Sequence, residues 1–259
     1  MEFRSKVKID NVNNIEPTDK ILLVGSCFAD NIGKLLQEDD FDCTVNPYGV
    51  MYNPASICHT VEKLLRDGGL DYDVAVFTLG TNHVYILNET GEIVDNCEKK
   101  PHQLFTEKAL SIEECASYLN DAIKLLQKTR PDIRIFLTVS PVRYAKYGYH
   151  GSQLSKAALL LATEKIEGAT YFPAYEIMND ELRDYRFYQP DMLHPSAQAV
   201  EYIYERFQEA YFSARARDFV KEWLPIKKFF AHRPFDANNE DYLREKEKME
   251  ERRRKVRKR

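Results

Sequence analysis

The feature that most constrains this chain is a regular alternation of short apolar runs with longer segments of helical periodicity. Five runs have the length and β-branched content of buried strands; they cover residues 21–24, 41–45, 73–79, 133–139 and 170–172. Amphipathic helical patterns lie between and after them, at about 27–38, 54–67, 111–129, 152–167 and 196–213. This order predicts a five-stranded parallel sheet with helices on both faces. Ligands of such sheets bind at the carboxyl ends of the strands.

Residues 83–95 interrupt this alternation directly after the third predicted strand. Two β-rich arms flank residues 88–91, whose sequence Asn-Glu-Thr-Gly favours a turn. We therefore predict a β-hairpin over 83–95. Because the hairpin begins where a strand ends, we expect it to border the site at the edge of the sheet.

Length and composition suit one large α/β domain with a charged extension. The chain has 259 residues, of which 44% are hydrophobic, and a net charge of −4. We predict one domain over 1–235 and a basic C-terminal helix or tail over 236–259, outside the core. Seven of the eight residues at 252–259 are basic, so this tail could bind nucleic acid or an acidic membrane face. A solvated helix end is the more ordinary interpretation, because several glutamates precede it.

Targeting and cofactor signals are absent from the sequence. It has no run of 18 apolar residues, which predicts no membrane span, and its first residues lack the apolar core of a signal peptide. Its five cysteines have no paired short spacing, which argues against a disulfide framework and a zinc site. We expect a reducing, cytoplasmic location and no metal or other cofactor.

Ser26 is the candidate nucleophile. It follows Gly25 at the end of the first predicted strand and precedes a helical pattern. A hydroxyl at that point lies at the carboxyl edge of the sheet, beside backbone N–H groups and the positive end of a helix dipole. The alternative for this residue is a helix-capping hydroxyl without catalytic function.

His194 is the candidate base, and Asp191 lies one turn before it. A serine hydroxyl is a weak nucleophile at neutral pH, so a base must take its proton. Asp191 can hold the imidazole in the required tautomer and stabilise the cation that forms. Pro195 then begins the last core helix at a position that proline favours.

An oxyanion hole needs N–H donors at the neighbouring strand ends. The candidates are the side-chain amide of Asn82, the backbone N–H of Gly49 and the N–H of Ser26 itself. Each follows a predicted strand or ends one. We expect these three donors to converge on the carbonyl oxygen of an ester substrate.

Long polar and aromatic side chains follow the same strands and predict substrate contacts. The candidates are His83, Tyr85, Arg143 and His150. The segment around Arg143 could act as a lid over a polar or anionic substrate, although a surface loop would have the same composition.

Two further residues are weighed as chemical groups and assigned structural roles. Cys27 adjoins Ser26, but successive residues at a helix start point in different directions, so we expect a buried structural cysteine. Lys156 directly follows Ser155, a spacing that does not make helical neighbours. We expect it to be structural as well.

The motifs together resemble a known family. Residues 25–29 spell Gly-Ser-Cys-Phe-Ala, the motif that names the GSCFA family, which is placed in the SGNH (GDSL-like) hydrolase superfamily. Further stretches similar to that family lie at 46–54, 78–81, 140–143, 153–156, 171–176 and 191–196. The resemblance covers roughly residues 1–235. It implies a flavodoxin-like, three-layer α/β/α fold and a Ser-His-Asp triad, although Gly25 stands where the superfamily usually has aspartate.

These residues predict a serine hydrolase of the SGNH type that cleaves an acetyl or other short acyl ester, with a small molecule or a carbohydrate as carrier of the acyl group. An acyltransferase would use the same triad. A non-catalytic protein on this fold would use Ser26 only as a helix cap, and a polyanion-binding protein would act through residues 252–259. The oligomeric state is left open.

Overall fold

A five-stranded, all-parallel sheet forms the centre of the protein in the computed structural model, which describes residues 5–97, 100–236 and 238–257. Its strands are β1 (Lys20–Gly25), β2 (Asp42–Val45), β3 (Val74–Leu79), β7 (Arg134–Val139) and β8 (Thr170–Tyr171). The spatial order is β2-β1-β3-β7-β8, the flavodoxin-like order. The predicted three-layer α/β/α fold and its five parallel strands are confirmed.

The helices flank this sheet and begin at well-capped positions. They are α1 (Cys27–Glu38), α2 (Pro54–Arg66), α3 (Ile112–Thr129), α4 (Gly148–Thr163), the short α5 (Ala174–Glu176), α6 (Ala197–Tyr211), α7 (Ala214–Ala231) and α8 (Glu240–Arg257). Helix α3 has a full capping box, in which Ser111 and Glu114 satisfy each other's backbone N–H groups. Pro54 opens α2 in the first turn, where its missing N–H costs no hydrogen bond.

Alternation along the strands divides the core between the two faces of the sheet. In β1, Ile21 and Leu23 pack in a cluster with α1 and α6, whereas Leu22 and Val24 pack in a second cluster with α2, α3 and α4. All four side chains are at most 1% exposed. A strand that is buried on both faces explains why this run is continuously apolar.

The predicted hairpin over 83–95 is confirmed and is part of a larger unit. β4 (His83–Leu87) pairs antiparallel with β5 (Ile93–Val94) and also with β6 (Phe105–Ala109). Sequence analysis did not predict β6. Most of its residues are exposed, because the strand lies at the edge of a three-stranded sheet. Its sequence therefore lacks the apolar run by which a buried strand is recognised.

Two helices, α4 and α7, differ from the prediction. Helix α4 begins four residues before the predicted start, because its first turn is solvent-exposed and lacks the apolar periodicity that we used. It also ends four residues before the predicted end. Helix α7 was not predicted. Ser213 ends the preceding segment and caps α7 by accepting a hydrogen bond from the N–H of Ala216 at 3.0 Å.

The charged C-terminal segment is helical and contacts the rest of the chain. Val256 of α8 is 5% exposed and packs with Trp223 and Ile226 of α7 in a small apolar cluster. Arg257 forms an ion pair with Asp40, in the turn after α1. The segment therefore docks at its far end, and positions 258 and 259 of the basic run lie outside the described residues.

Among the helices of the described ranges, none combines the length and the apolar character that a bilayer crossing requires.

Gly25 generates the first prediction. A Cβ at this position would overlap the carbonyl oxygen and the hydroxyl of Thr78 on β3, so Gly25→Ala would force apart the two central strands. We expect a loss of about 1–3 kcal/mol in the free energy of unfolding, the cost of overpacking a core. Urea denaturation followed by circular dichroism measures it. Gly69→Ala is the matched control, since its Cβ would lie 3.6 Å from Leu64 in ordinary contact; equal stability of both variants would contradict the prediction.

Candidate active site

Ser26 lies between the two central strands, at the point where the order of the sheet reverses. It directly follows β1 and caps α1. β1 is joined to β2 on one side, and the chain then returns to β3 on the other side. The crevice at such a switch point is the usual ligand site of an open α/β sheet. The structure therefore places Ser26 where the sequence predicts it.

The Ser26 hydroxyl belongs to a buried network of hydroxyl groups. Its Oγ lies 2.7 Å from Oγ of Ser140 and 3.3 Å from Oγ1 of Thr78, and it accepts a hydrogen bond from the N–H of Phe28 at 3.2 Å. Ser26 is 1% exposed and Ser140 is 0% exposed. The hydroxyl is thus held in one orientation by three strand-end or helix-start groups.

His194 and Asp191 form a closely bonded pair. Nδ1 of His194 lies 2.6 Å from Oδ2 of Asp191, while Oδ1 of Asp191 accepts the N–H groups of Leu193 and His194 at 2.9 and 3.0 Å. These hydrogen bonds, with the backbone donors contributing most, lower the pKa of Asp191 to about 2. The carboxylate therefore stays ionised at neutral pH and orients the imidazole, which leaves Nε2 free of this contact.

The loop that carries this pair is fixed at both ends. The N–H of Gln189 donates to the carbonyl of His194 at 2.8 Å, and the N–H of Met192 donates to Gln189 at 2.9 Å. Met192 takes a positive φ of 59°, which tightens the turn. Ser196 then caps α6 by accepting the N–H of Ala199 at 3.2 Å.

Ser26 and His194 both lie within the described ranges and share no hydrogen bond. The hydroxyl of Ser26 bonds to Ser140 and to the N–H of Phe28, and the imidazole of His194 bonds to Asp191. The segment after β7 connects the two groups instead. Ser140 bonds to Ser26, and the N–H of Arg143 donates to the carbonyl of Leu193 at 2.9 Å. Since three residues span at most about 11 Å, this short segment contacts Ser26 at one end and the loop of His194 at the other. The complete triad stays a prediction.

The three expected oxyanion donors each have an internal acceptor. The N–H of Ser26 donates to Thr78, at 3.1 Å to the carbonyl and 3.0 Å to the hydroxyl. The N–H of Gly49 donates to the carbonyl of Asn46 at 2.8 Å, and Nδ2 of Asn82 donates to the carbonyl of Leu110 at 2.7 Å. A backbone N–H has one hydrogen, whereas the Asn82 amide keeps a second. Their role as donors stays a prediction.

Two of the expected substrate contacts lie on the hairpin side. His83 stacks on Tyr147, with ring centroids 3.8 Å apart, and burial lowers its pKa. The hydroxyl of Tyr85 is hydrogen-bonded to Nζ of Lys146, which also pairs with Glu107 at 2.8 Å. These residues bind the hairpin to the segment after β7.

The other two expected substrate contacts, Arg143 and His150, have different surroundings. The guanidinium of Arg143 lies 4.0 Å from the ring centroid of Tyr188 and borders the loop of His194. His150 is exposed in the first turn of α4. Arg143 is thus placed against the loop that carries the candidate base, whereas within the described part of the chain His150 makes no hydrogen bond or ion pair with the other three candidates.

An aromatic row connects Ser26 with the hairpin. Gly80 packs between Tyr52 and Ser26, because a Cβ on it would lie 3.3 Å from the Tyr52 ring and 3.4 Å from Cβ of Ser26. Tyr52 is 42% exposed and neighbours Tyr144 at 6.5 Å between centroids. Tyr144 in turn stacks with Tyr147 at 5.3 Å.

Sequence analysis missed Asn46 and Ser140 at this site, and it assigned Lys156 only a structural role. Asn46 accepts the N–H of Gly25 at 2.8 Å and donates to Asp30 at 2.7 Å, so it fixes the junction of β1 and α1. Ser140 bonds to the nucleophile candidate. Lys156 is 2% exposed and contacts the strand ends beside it. All three lie in the family-like stretches of the sequence, which was the available signal.

Cys27 and metal binding complete the description of the site. Burial, followed by the charge of Asp30, raises the pKa of Cys27, so this thiol is protonated at neutral pH and a poor nucleophile.

Within residues 5–97, 100–236 and 238–257, the side chains form no group of three or more histidine, cysteine, aspartate or glutamate ligands around a common point.

The bond between Asp191 and His194 predicts a single imidazole tautomer. With the carboxylate at Nδ1, the proton of neutral His194 resides on Nδ1. Long-range ¹H–¹⁵N NMR of the wild-type protein should show this tautomer, and Asp191→Ala should yield a mixture. His59, whose Nδ1 lies 2.9 Å from Asp95, is the internal control and should not change. An unchanged His194 spectrum in Asp191→Ala would contradict the assigned pairing.

Comparison with known proteins places the chain in a family. Among solved structures it is similar to a catalytic mutant of an acetylxylan esterase from Geobacillus stearothermophilus, with 13% identity over 77% of this chain and 97% of that one and a TM-score of 0.48. It is also similar to an α/β hydrolase enzyme from the metagenome of Lake Arreo, at 13% identity, 76% and 96% coverage and a TM-score of 0.47. A carbohydrate esterase family 3 protein from Talaromyces cellulolyticus matches at 9% identity, 78% and 98% coverage and a TM-score of 0.43.

No curated protein matches the sequence. The model of the GSCFA family matches residues 20–72 and 67–207, well over half of the chain. The chain therefore belongs to the GSCFA family.

Proposed function

We propose that this protein is a serine hydrolase that cleaves a carboxylic ester, with Ser26 as nucleophile, His194 as base and Asp191 as the group that orients the base. One observation carries the proposal. The segment after β7 contacts both halves of the triad, since Ser140 bonds to Ser26 and Arg143 bonds to Leu193, next to His194. This one segment therefore contacts the serine at the switch point of the sheet and the loop that carries the carboxylate-oriented imidazole, which supports a triad.

The reaction follows the acyl-enzyme route. His194 Nε2 takes the proton of the Ser26 hydroxyl as its oxygen attacks the acyl carbon, and the positive imidazolium is stabilised by Asp191. The tetrahedral intermediate expels the alcohol, which receives its proton from His194. Water then attacks the acyl-enzyme with His194 again as base, so that the acid is released and the serine is regenerated.

Attack requires a change in the hydrogen bonds of Ser26. Its hydroxyl is enclosed and bonded to Ser140 in the structure, so the oxygen must exchange that partner for His194 when substrate enters. Ser140 and the loop of His194 are linked through three residues and one backbone hydrogen bond, so a shift of this segment would move both partners of Ser26. Substrate binding and triad assembly are thereby coupled steps.

The oxyanion is stabilised at the start of α1 and by Asn82. The N–H of Cys27 is the first of the helix and has no acceptor within it. The second amide hydrogen of Asn82 is the other candidate donor. The N–H groups of Ser26 and Gly49, which the sequence suggested, contribute only if they leave Thr78 and Asn46.

The substrate is an acetyl or other short acyl ester on a carbohydrate-like alcohol. Support comes from the exposed face of Tyr52 beside the serine and from the row of rings that leads to the hairpin. Flat aromatic faces pack against the C–H faces of sugar rings, and Arg143, which borders the loop of His194, would bind a polar or anionic substituent.

A fluorophosphonate probe tests the nucleophile. Wild-type protein should be labelled on the peptide that contains Ser26, as identified by mass spectrometry, and Ser26→Ala should not be labelled. Ser140→Ala is the matched control, because it removes a neighbouring buried hydroxyl 2.7 Å away and leaves the nucleophile in place. Labelling of Ser140, or no labelling of folded wild-type protein, would count against the proposal and favour a non-catalytic binding protein.

His194→Ala tests the base. Without an imidazole to take the Ser26 proton, hydrolysis of p-nitrophenyl acetate should fall by about a thousandfold or more in kcat. His59→Ala, at the other histidine–aspartate pair, should retain turnover. Circular dichroism verifies that both variants are folded. Near-normal turnover of His194→Ala would remove His194 from the mechanism.

A further inference from the structure

Lys156 is a buried cation that the proposed triad does not use. It lies on α4 and is 2% exposed. Its Nζ donates to the carbonyl of Gly80 at 2.6 Å and to the carbonyl of Ser140 at 2.8 Å. Within the described ranges no carboxylate lies at ion-pair distance from Lys156. A lysine in this setting is costly, because burial without an ionised partner penalises its charged form.

Both acceptors of Lys156 adjoin the nucleophile. Gly80 directly follows β3 and packs against Ser26, where a Cβ would lie 3.4 Å from Cβ of the serine. Ser140 directly follows β7, and its hydroxyl lies 2.7 Å from the hydroxyl of Ser26. One ammonium group therefore joins the two strand ends that contact the serine.

Its neighbour Ser155 binds the same loop without a charge. Oγ of Ser155 lies 3.0 Å from the hydroxyl of Thr81 and accepts the N–H of Asn82 at 3.0 Å. Consecutive residues of α4 thus hold consecutive residues after β3. The two differ in one respect, which is that only Lys156 brings a positive charge into the buried network.

We propose that Lys156 is a positioning residue for Ser26: its ammonium group holds the ends of β3 and β7 against the serine and supplies a buried positive charge that favours the anionic form of the reacting oxygen. The inference rests on the proposed function of Ser26. It also gives a reason for placing a lysine, rather than an apolar residue, in this part of the core. A fixed charge in a dry site acts on developing negative charge more strongly than it would in water.

The charge of Lys156 changes with pH near neutrality. Burial lowers its pKa to about 7, and the negative charge that Cys27 carries when ionised acts against this shift. Within the described ranges, the titratable groups that face it are Cys27 at the start of α1 and Tyr175 of α5, whose ring centroid lies 5.9 Å from Nζ. The positive charge is fully present below that pKa and is lost as the pH rises through it.

The first experiment measures the buried charge without using activity. Urea unfolding midpoints of wild type and Lys156→Met are compared from about pH 6 to about pH 9. An unfolded lysine binds its proton more tightly than this folded one, so wild-type stability should rise with pH relative to Lys156→Met. Lys221→Met, at a side chain that is 76% exposed, is the control and should parallel wild type. Parallel curves for wild type and Lys156→Met would overturn the lowered pKa of Lys156 and, with it, the pH-dependent charge that the inference assigns to this residue.

The second experiment measures the effect on Ser26. Lys156→Met should reduce the rate of fluorophosphonate labelling of Ser26 by about a hundredfold at pH 6, the scale on which one oxyanion-stabilising contact acts. The ratio of the wild-type rate to the Lys156→Met rate should fall as the pH rises above about 7, because wild-type Lys156 then loses its charge. Ser155→Ala should have a smaller effect and keep the wild-type pH dependence.

The outcomes separate this inference from the proposed function. Equal labelling rates of wild type and Lys156→Met, or a ratio that does not change with pH, would overturn the role of Lys156 and leave the esterase proposal intact. Absence of labelling in wild type would overturn both. Should Lys156→Met fail to fold, Lys156→Gln keeps a donor for a carbonyl, removes the charge and is measured in the same way.

Discussion

The close approach of β1 and β3 at Gly25 is the constraint on which the rest of the site depends. Gly25 pairs with Thr78, and the absence of a side chain lets the N–H of Ser26 reach the carbonyl of Thr78 at 3.1 Å. Helix α1 starts at the next residue, with Ser26 as its cap. A serine is thereby placed at the junction of two central strands and a helix start.

The sequence predicted those parts of the molecule in which local pattern and tertiary environment agree. Buried strands on both faces are continuously apolar, so β1, β3 and β7 were identified by composition alone. Ser26 could be placed at a strand end, because Gly25 breaks an apolar run and a helical periodicity begins behind it. The Asp191–His194 pair was also predictable, since a spacing of three residues brings both side chains to one turn.

The remaining features depend on contacts that no local pattern encodes. A lysine is usually exposed, so the burial of Lys156 follows only from the meeting of α4 with two strand ends. The acceptors of the Ser26 and Gly49 N–H groups are likewise set by tertiary geometry. Strand β6 is a polar edge strand, and the docking of Val256 against α7 needs a partner surface distant in sequence.

Ser26, the proposed nucleophile, also caps a helix, and this has a consequence for the proposed acyl-enzyme. Its Oγ accepts the N–H of Phe28 at 3.2 Å and so closes the first turn of α1. An ester oxygen is a weaker acceptor than a hydroxyl oxygen, so acylation would loosen that turn and release one main-chain amide beside the reacting carbon. Every turnover would then uncap the helix briefly and restore it on hydrolysis, and the regained capping bond would favour regeneration of the free serine.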